Sequence, residues 1–383
     1  MNNSIAMSSA STPPPGSCGN IFSIFLISLI ISLLSGCGAA LPFRYTVTPI
    51  IPDELKIKNK GSKFGFSYAK AHVINDKGHV AGIYTPPPPS RGQIFIFADG
   101  KLSRFDDPCQ GYFLLKAITN TGLIAGYCQP GQFTHQTSAY SLVLSYAQPG
   151  KLKPVKVDWP TSDFMVLGLN DRGDAVGINT RALGLAGEKD KFIGFVYVSG
   201  SLHMIEKNWY HNFHYFFNSV INASGLVVGG NTGPILDPKK PHVFEKSRPF
   251  KFVEGEFFEL PEMRGQISAI NDIGHFVAHE ANRFKIYDGE IHSIDCEKDS
   301  CKTYDINNMD WVIGHQSTSY PIPPMGASIG HTYLWIKDNF YNLNRSLGLD
   351  INQDLAAKLN NRGQMLIHAD RWPYLITPNL AGH

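Results

Sequence analysis

Three histidines stand at the same place in consecutive copies of a short repeated phrase. His279, His315 and His368 each follow by eight positions the Asn that marks their copy. Neutral imidazoles are good ligands for divalent ions, so three of them brought together by equivalent positions could hold one metal. Because no matching carboxylate can be identified beside them, the alternative is that they cap strand ends separately, too far apart for one ion.

A run of aromatic residues is a second candidate for binding. The chain reads Trp209, Tyr210, His211, Asn, Phe, His214, Tyr, Phe and Phe217. Planar side chains give contact area at low entropic cost, which suits a sugar ring or a partner protein. Packing within a loop, followed by the next strand, explains the same run equally well.

Other signals of chemistry are missing from the sequence. It contains no phosphate loop and no His-Glu-x-x-His motif. The Asn-Asp pairs that begin at Asn75, Asn170 and Asn271 lack the density of a calcium loop and are typical of turns. The net charge is +2, with acidic and basic residues mixed along the chain, which does not favour nucleic acid. We therefore expect no cofactor, with a divalent metal only if the chain is an enzyme.

The N-terminal segment indicates export. Ile21 to Leu34 is apolar apart from three serines, and about 14 residues suit a secretion signal better than a membrane span. The Leu-Ser-Gly-Cys that follows, ending at Cys37, resembles the lipobox of bacterial lipoproteins. The resemblance implies a signal peptide in 1–36, a lipid such as palmitate on Cys37, a linker over 37–43 and a place in the bacterial cell envelope, periplasmic or at the cell surface.

The leader departs from the lipoprotein pattern, because no Lys or Arg precedes the apolar run. An ordinary cleaved signal and an uncleaved anchor are therefore alternatives to lipidation.

The repeated phrase must position all of these groups. It consists of an aliphatic residue, Asn, two variable residues, Gly and a short apolar run. The seven copies begin at Ile74, Ile118, Leu169, Ile221, Ile270, Ile306 and Leu359. Thr119 replaces the Asn of the second copy, and Asp310 replaces the Gly of the sixth. Because Gly supplies a positive φ and the Asn side chain can bond the turn backbone, the phrase predicts a hairpin.

A second hairpin follows in most copies, where apolar residues alternate on both sides of Asp-Gly, Ser-Gly or Glu-Gly. Each repeat is then four antiparallel strands, and the spacing of about 36 to 53 residues is that of a propeller blade. The seventh repeat ends one strand short, and residues 44–50 alternate as a strand should. We therefore predict an all-β, seven-bladed β-propeller over 44–383, closed by an N-terminal strand that also removes an exposed sheet edge.

The pattern resembles the HAF family of extracellular repeat proteins, whose signature joins an Asn-x-x-Gly phrase to a His-Ala-Phe-x-Trp-like strand. His331 to Trp335, reading His-Thr-Tyr-Leu-Trp, is the nearest copy here. The resemblance covers almost the whole of the chain after Cys37 and implies an exported repeat protein. It implies no catalytic residue.

The topology also places the long loops and the remaining cysteines. The short turns lie on one face of the ring, and the long irregular loops lie on the other, where binding normally occurs. We predict disulfides between Cys109 and Cys128 and between Cys296 and Cys301, since any other pairing would have to reach across the ring; four free thiols are the alternative.

These observations favour a monomeric, lipid-anchored binding protein that engages a protein or glycan through its loop-rich face. The alternative is a metal-dependent lyase or hydrolase that acts on a polysaccharide or peptidoglycan fragment. The absence of a phosphate loop and of a His-Glu-x-x-His motif favours the binding protein.

Overall fold

The structure is a computed structural model. It describes residues 41–56, 68–86, 92–109, 112–129, 140–148, 150–179, 192–206, 217–231, 248–263, 265–280, 282–296, 300–320, 327–351, 357–369 and 372–379. Ala39–His383 forms one compact unit.

Twenty-eight strands form seven four-stranded antiparallel sheets in the described ranges, so the predicted seven-bladed propeller is confirmed. Blades 1 to 4 contain β2 (Tyr68–Ile74), β3 (Val80–Thr85), β4 (Gln93–Ala98) and β5 (Lys101–Asp106); β6 (Tyr112–Ile118), β7 (Leu123–Gln129), β8 (Tyr140–Ser145) and β9 (Lys153–Pro154); β10 (Phe164–Leu169), β11 (Ala175–Asn179), β12 (Phe192–Val198) and β13 (Ser201–Glu206); and β14 (Phe217–Ile221), β15 (Val227–Asn231), β16 (Arg248–Val253) and β17 (Glu256–Glu259).

Blades 5 to 7 contain β18 (Gln266–Ile270), β19 (Phe276–Glu280), β20 (Arg283–Tyr287) and β21 (Ile291–Asp295); β22 (Ser300–Ile306), β23 (Val312–Tyr320), β24 (Ala327–Ile336) and β25 (Asn339–Asn342); and β26 (Lys358–Leu359), β27 (Met365–Ala369), β28 (Trp372–Asn379) and β1 (Arg44–Pro49). A 3-10 helix at Asp53–Leu55 and the short helix α1 at Leu343–Leu347 lie outside the sheets.

The ring closes as the sequence predicts. β1 pairs antiparallel with β28, from Arg44 opposite Asn379 to Pro49 opposite Tyr374. The first strand of each blade contacts the first strands of both neighbouring blades, and β26 of blade 7 contacts β2 of blade 1. These first strands are the innermost strands around the axis.

Burial explains why a single blade is not a stable unit. The buried apolar residues of the described ranges form seven clusters, one at each junction between neighbouring blades. Each sheet covers its apolar faces only against the sheets beside it, as expected of a repeat architecture.

The phrase is a tight hairpin in every blade. In blade 1 the Asn75 Oδ1 accepts the backbone N–H groups of Lys77 and His79, at 3.1 and 2.9 Å, and Gly78 has a φ of +81°. Asp310, which replaces Gly in blade 6, adopts the same left-handed conformation with a φ of +56°. The hairpins of the seven phrases define the phrase face, and the opposite end of the ring is the loop face.

Small residues on the second strands make room for packing inside the blade. A Cβ on Gly82 would lie 2.3 Å from the Lys70 carbonyl oxygen and 2.6 Å from the Phe95 ring. The aromatic side chain of the third strand therefore lies directly over this glycine.

Both predicted disulfides are present. Cys109 and Cys128 bond at a Cα separation of 5.5 Å, and Cys296 and Cys301 bond at 6.2 Å. All four cysteines are buried at junctions between blades.

Candidate functional site in the axial channel

The three repeated histidines lie on the second strands of their blades: His279 on β19, His315 on β23 and His368 on β27. No three His, Cys, Asp or Glu side chains in the described ranges are grouped to hold a metal ion. Within the described ranges these histidines are therefore not grouped with one another or with a carboxylate, and the metal site stays a hypothesis from the sequence. Equivalent positions converge only on the innermost strands, and the second strand lies roughly 4.8 Å further from the axis.

His368 has a structural role instead. Its side chain is buried, and its Nε2 accepts a hydrogen bond of 3.0 Å from the Ala71 N–H in blade 1. Burial, followed by the nearby charge of Lys70, lowers the pKa of His368 to about 4. Burial and then Lys302 lower the pKa of His279 to about 4 as well. Both rings are therefore neutral at pH 7.

The aromatic candidates Trp209, Tyr210, His211 and His214 lie outside the described residues. The same holds for Cys37 and for most of the long loops of the loop face.

On the phrase face, asparagine amides form a first ring of hydrogen bonds around the axis. In each bond, Nδ2 of a phrase Asn donates to the backbone carbonyl of the corresponding residue in the next blade. The bonds are Asn75 to Thr119 at 2.8 Å, Asn170 to Asn222 at 2.9 Å, Asn222 to Asn271 at 3.0 Å, Asn271 to Asn307 at 2.9 Å, Asn307 to Asn360 at 3.1 Å and Asn360 to Asn75 at 2.8 Å. The same amide thus closes its own turn and joins two blades.

The residue after the Asn builds a second ring. Its backbone N–H donates to the side-chain oxygen of the corresponding residue in the next blade. The bonds are Asp76 to Asn120 at 3.0 Å, Asn120 to Asp171 at 2.5 Å, Ala223 to Asp272 at 2.9 Å, Asp272 to Asn308 at 2.8 Å, Asn308 to Asn361 at 2.8 Å and Asn361 to Asp76 at 2.8 Å.

Each ring is interrupted at one junction. Thr119 has no amide to donate to blade 3, but Asn120 makes a second bond there, from its Nδ2 to Asp171 Oδ2 at 2.8 Å. Ala223 has no oxygen to accept from Asp171, but the first ring is intact at that junction.

These groups also occupy the mouth of the channel on the phrase face, where a cavity of about 220 Å³ is lined by residues of the phrases. The Asn361 Nδ2 donates to Asp76 Oδ2 at 3.1 Å and reaches Asp272 Oδ2, two blades away, at 2.6 Å. The Asp76 and Asp272 carboxylates are therefore held by amides, so we interpret this mouth as structural.

The interior of the channel carries lysines, unlike its mouth on the phrase face. Lys70 on β2, Lys116 on β6 and Lys358 on β26 come from the innermost strands of blades 1, 2 and 7, which are neighbours in the ring. We call these three residues the lysine cluster. Lys116 and Lys358 line a second cavity of about 220 Å³, in which Asp305 is the single carboxylate. Asp305 is also the only acidic residue of the innermost strands in the described ranges.

The lysines are close enough to oppose one another's charge. Burial lowers the pKa of Lys116, and the charges of Lys358 and Lys70 lower it further. His72, also on β2, has its pKa lowered to about 3 by burial and by Lys70, His368 and Lys116. Protein thus surrounds these groups, although the Lys116 side chain is still exposed to solvent within the channel.

Asp305 is already engaged. Its Oδ2 lies 3.8 Å from the Lys358 Nζ and accepts the Leu359 N–H at 3.1 Å, while Oδ1 accepts the Ile306 N–H at 3.1 Å. Burial nevertheless raises the pKa of Asp305. Asp305 therefore pairs with Lys358, and neither Lys70 nor Lys116 forms an ion pair with a carboxylate among the described residues. The Lys116 Nζ lies 5.7 Å from the centre of the Tyr127 ring.

Two tyrosines stand above the lysine cluster. Tyr68 and Tyr112 begin β2 and β6, at the end of each strand that is furthest from its phrase hairpin and therefore nearest the loop face. Their side chains are 48% and 63% exposed, which is unusual for aromatic residues at the start of an innermost strand. Tyr68 and Lys70 alternate with the buried Ala69, so they share one face of β2. In β6 the buried Phe113 and Leu115 alternate with Tyr112 and Lys116, which places Tyr112 on the side of Lys116, the residue at which the register then shifts. We call these two residues the tyrosine rim.

The arrangement suits an anion that enters from the loop face and carries a ring able to pack on an aromatic side chain. The lysines could not be recognised from the repeat because they do not share a position in it: Lys70, Lys116 and Lys358 precede the phrase Asn or its replacement by five, three and two residues. One signal for the cluster was available in the sequence. Charged residues occur on the strands just before a phrase, and the phrase identifies those strands as innermost.

Comparison with known proteins agrees with the fold. No protein family and no curated protein matches the sequence. The β-propeller domain of the Trilobed protease from Pyrococcus furiosus is similar over 82% of this chain and 96% of that domain, with a TM-score of 0.50 and 12% identity. Streptogramin B lyase is similar over 83% of this chain and 97% of its own, with a TM-score of 0.48 and 12% identity.

At 12% identity, the similarity to the domain of the Trilobed protease shows the propeller fold alone. The described residues include no helix long and apolar enough to cross a membrane.

Proposed function

We propose that the chain is an exported, lipid-anchored propeller that binds an anionic ligand in its axial channel from the loop face. The observation that carries this proposal is the lysine cluster: Lys116 and Lys358 share a cavity whose one carboxylate is Asp305, and Lys70 lies close enough to act on the charge of Lys116. Like charges in a partly desolvated site oppose one another, and a bound anion would relieve that cost.

The place of action rests on separate support. Two disulfides indicate an oxidising environment outside the cytoplasm. The apolar segment and the box that ends at Cys37 support lipid anchoring. Two or three acyl chains hold a soluble domain at a membrane, since each buried CH₂ contributes about 0.8 kcal/mol. No described group of metal ligands favours the metal-dependent enzyme, so we do not develop that alternative.

The test uses citrate as a small anionic probe at constant ionic strength. We expect citrate to raise the melting temperature of the wild type, because a ligand that binds only the folded state stabilises it. The double variant Lys70→Met, Lys116→Met should lose this response. Lys101→Met is the matched control, because Lys101 is exposed on the outermost strand of blade 1 and should leave the response unchanged.

A second readout needs no ligand. Without citrate, the double variant should melt at a higher temperature than the wild type, since it removes charge repulsion from the channel. An equal citrate response in the wild type and the double variant would contradict the proposal, as would an equal effect of sodium chloride at the same ionic strength.

A further inference from the structure

The tyrosine rim and the lysine cluster lie on the same strand faces, which restricts the kind of anion that fits both. From the loop face inward, β2 presents Tyr68 and then Lys70, and β6 presents Tyr112 and then Lys116. A ligand that contacts both the tyrosine rim and the lysine cluster must therefore place a ring at the loop-face end of β2 and β6. Its acidic group must then lie further along the same strands. Sugar rings pack well against exposed tyrosine faces, which are flat and carry a polar edge.

The distribution of charge favours a ligand that inserts one acidic end into the channel over a long polyanion that lies along the surface. The three lysines of the cluster lie on innermost strands, and the chain as a whole carries a net charge of only +2. The cavity at the cluster, at about 220 Å³, has room for one terminal acidic group and not for a folded macromolecule. A nucleic acid would instead require a basic stripe along the surface.

We infer that the ligand is an acidic oligosaccharide that binds end-on, with the carboxylate of its terminal sugar at the lysine cluster and the next ring against Tyr68 and Tyr112. This inference rests on the proposed function and names its ligand class. It is independent of the aromatic run at Trp209, which lies outside the described residues.

The experiment is calorimetric titration at constant ionic strength with trimers of galacturonate and of mannuronate. The carboxyl-reduced neutral trimers, citrate and a thymidylate trinucleotide serve as comparison probes. At least one uronate trimer should bind more tightly than citrate, and its neutral counterpart should bind at least tenfold more weakly, as expected for the loss of a charged hydrogen bond.

Substitutions test the ring contact at the tyrosine rim and the acidic contact at the lysine cluster separately. Tyr112→Ser should weaken the uronate trimer by about tenfold and leave citrate unchanged, because it removes only the ring contact. Lys116→Met should weaken both. Tyr140→Ser is the matched control, since Tyr140 is 42% exposed but lies on the third strand of its blade, away from the axis, and should change neither.

The outcomes distinguish the inference from the proposed function. If citrate binds at the lysine cluster but neither uronate trimer exceeds it, the inference is overturned and the proposed function stands. Tighter binding of the trinucleotide than of both uronate trimers also overturns the inference. If neither citrate nor the trimers respond to Lys116→Met, both fail.

Discussion

The amide ring on the phrase face can be tested by changing one atom of one side chain. Asn307 is 1% exposed; its Oδ1 accepts the N–H groups of Met309 and Trp311, both at 3.0 Å, and its Nδ2 donates to the Asn360 carbonyl at 3.1 Å. Asn307→Asp preserves the shape and both acceptor bonds. It replaces the donor by a second oxygen that faces the carbonyl of the next blade.

The expected cost follows from two terms. An unsatisfied buried carbonyl costs about 1–3 kcal/mol, and an uncompensated buried charge costs about 3–5 kcal/mol. Since these terms overlap at one site, we expect a loss of at least about 3 kcal/mol in the free energy of unfolding at pH 7. With a urea m-value of about 3 kcal/mol/M, the midpoint of tryptophan fluorescence should fall by about 1 M.

The matched control is Asn308→Asp, the same chemical change one residue further along. The Asn308 Oδ1 accepts the Asp272 N–H at 2.8 Å, and a carboxylate oxygen accepts that bond equally well. Asp76 in blade 1 already fills the equivalent position. We therefore expect the control to change stability by less than about 1 kcal/mol, as is usual for a substitution that breaks no buried contact.

The pH dependence provides a second check. Burial should raise the pKa of the new carboxyl at position 307 above its unfolded value, so its cost should shrink as the pH falls and the protonated group donates to Asn360. Equal urea midpoints for Asn307→Asp and Asn308→Asp at pH 7 would refute the inter-blade role of the amide.

Three further predictions concern burial, anchoring and closure. The pKa of His368 is lowered to about 4 in the folded state, so its protonation should destabilise the fold as the pH falls below the ordinary value near 6.5, by about 2 kcal/mol from this residue alone between pH 7.5 and pH 5. His72 and His279, whose pKa values are also lowered, add to this effect, so His368→Gln should reduce the dependence of the urea midpoint on pH without abolishing it. Cys37→Ala should release the protein from membranes in cell fractionation, and a variant that stays membrane-bound would disprove lipidation. Deletion of residues 44–50 should cause aggregation or a large loss of melting temperature, because β28 loses its partner β1; an unchanged melting curve would contradict closure.

Much of the fold could be predicted because a closed ring repeats its local chemistry. The Asn and Gly of the phrase determine a turn that forms within five residues, and the period of the phrase then sets the number of blades. The short last repeat and the alternating segment at residues 44–50 together predicted the pairing of β1 with β28. The disulfide pairs followed because Cys109 and Cys128 fall at one end of the same blade.

The site could not be predicted in the same way. The second role of the phrase amides depends on the distance between neighbouring blades, which no single repeat encodes. Lys70, Lys116 and Lys358 meet because their strands surround one axis, although they occupy different positions within the repeat. The three repeated histidines, of which His368 is one, share a position within the repeat but do not meet. Their position lies on the second strand of each blade and not on the innermost strand.

The two hydrogen-bond rings have a consequence for how the repeats can diverge. Thr119 interrupts the first ring and Ala223 interrupts the second, but the two interruptions fall at different junctions. Every pair of neighbouring blades therefore retains at least one of the two bonds, and five of the seven junctions have both, so at those five a substitution that removes one bond leaves the other. This redundancy allows individual repeats to change in sequence, one at a time, while the ring stays closed.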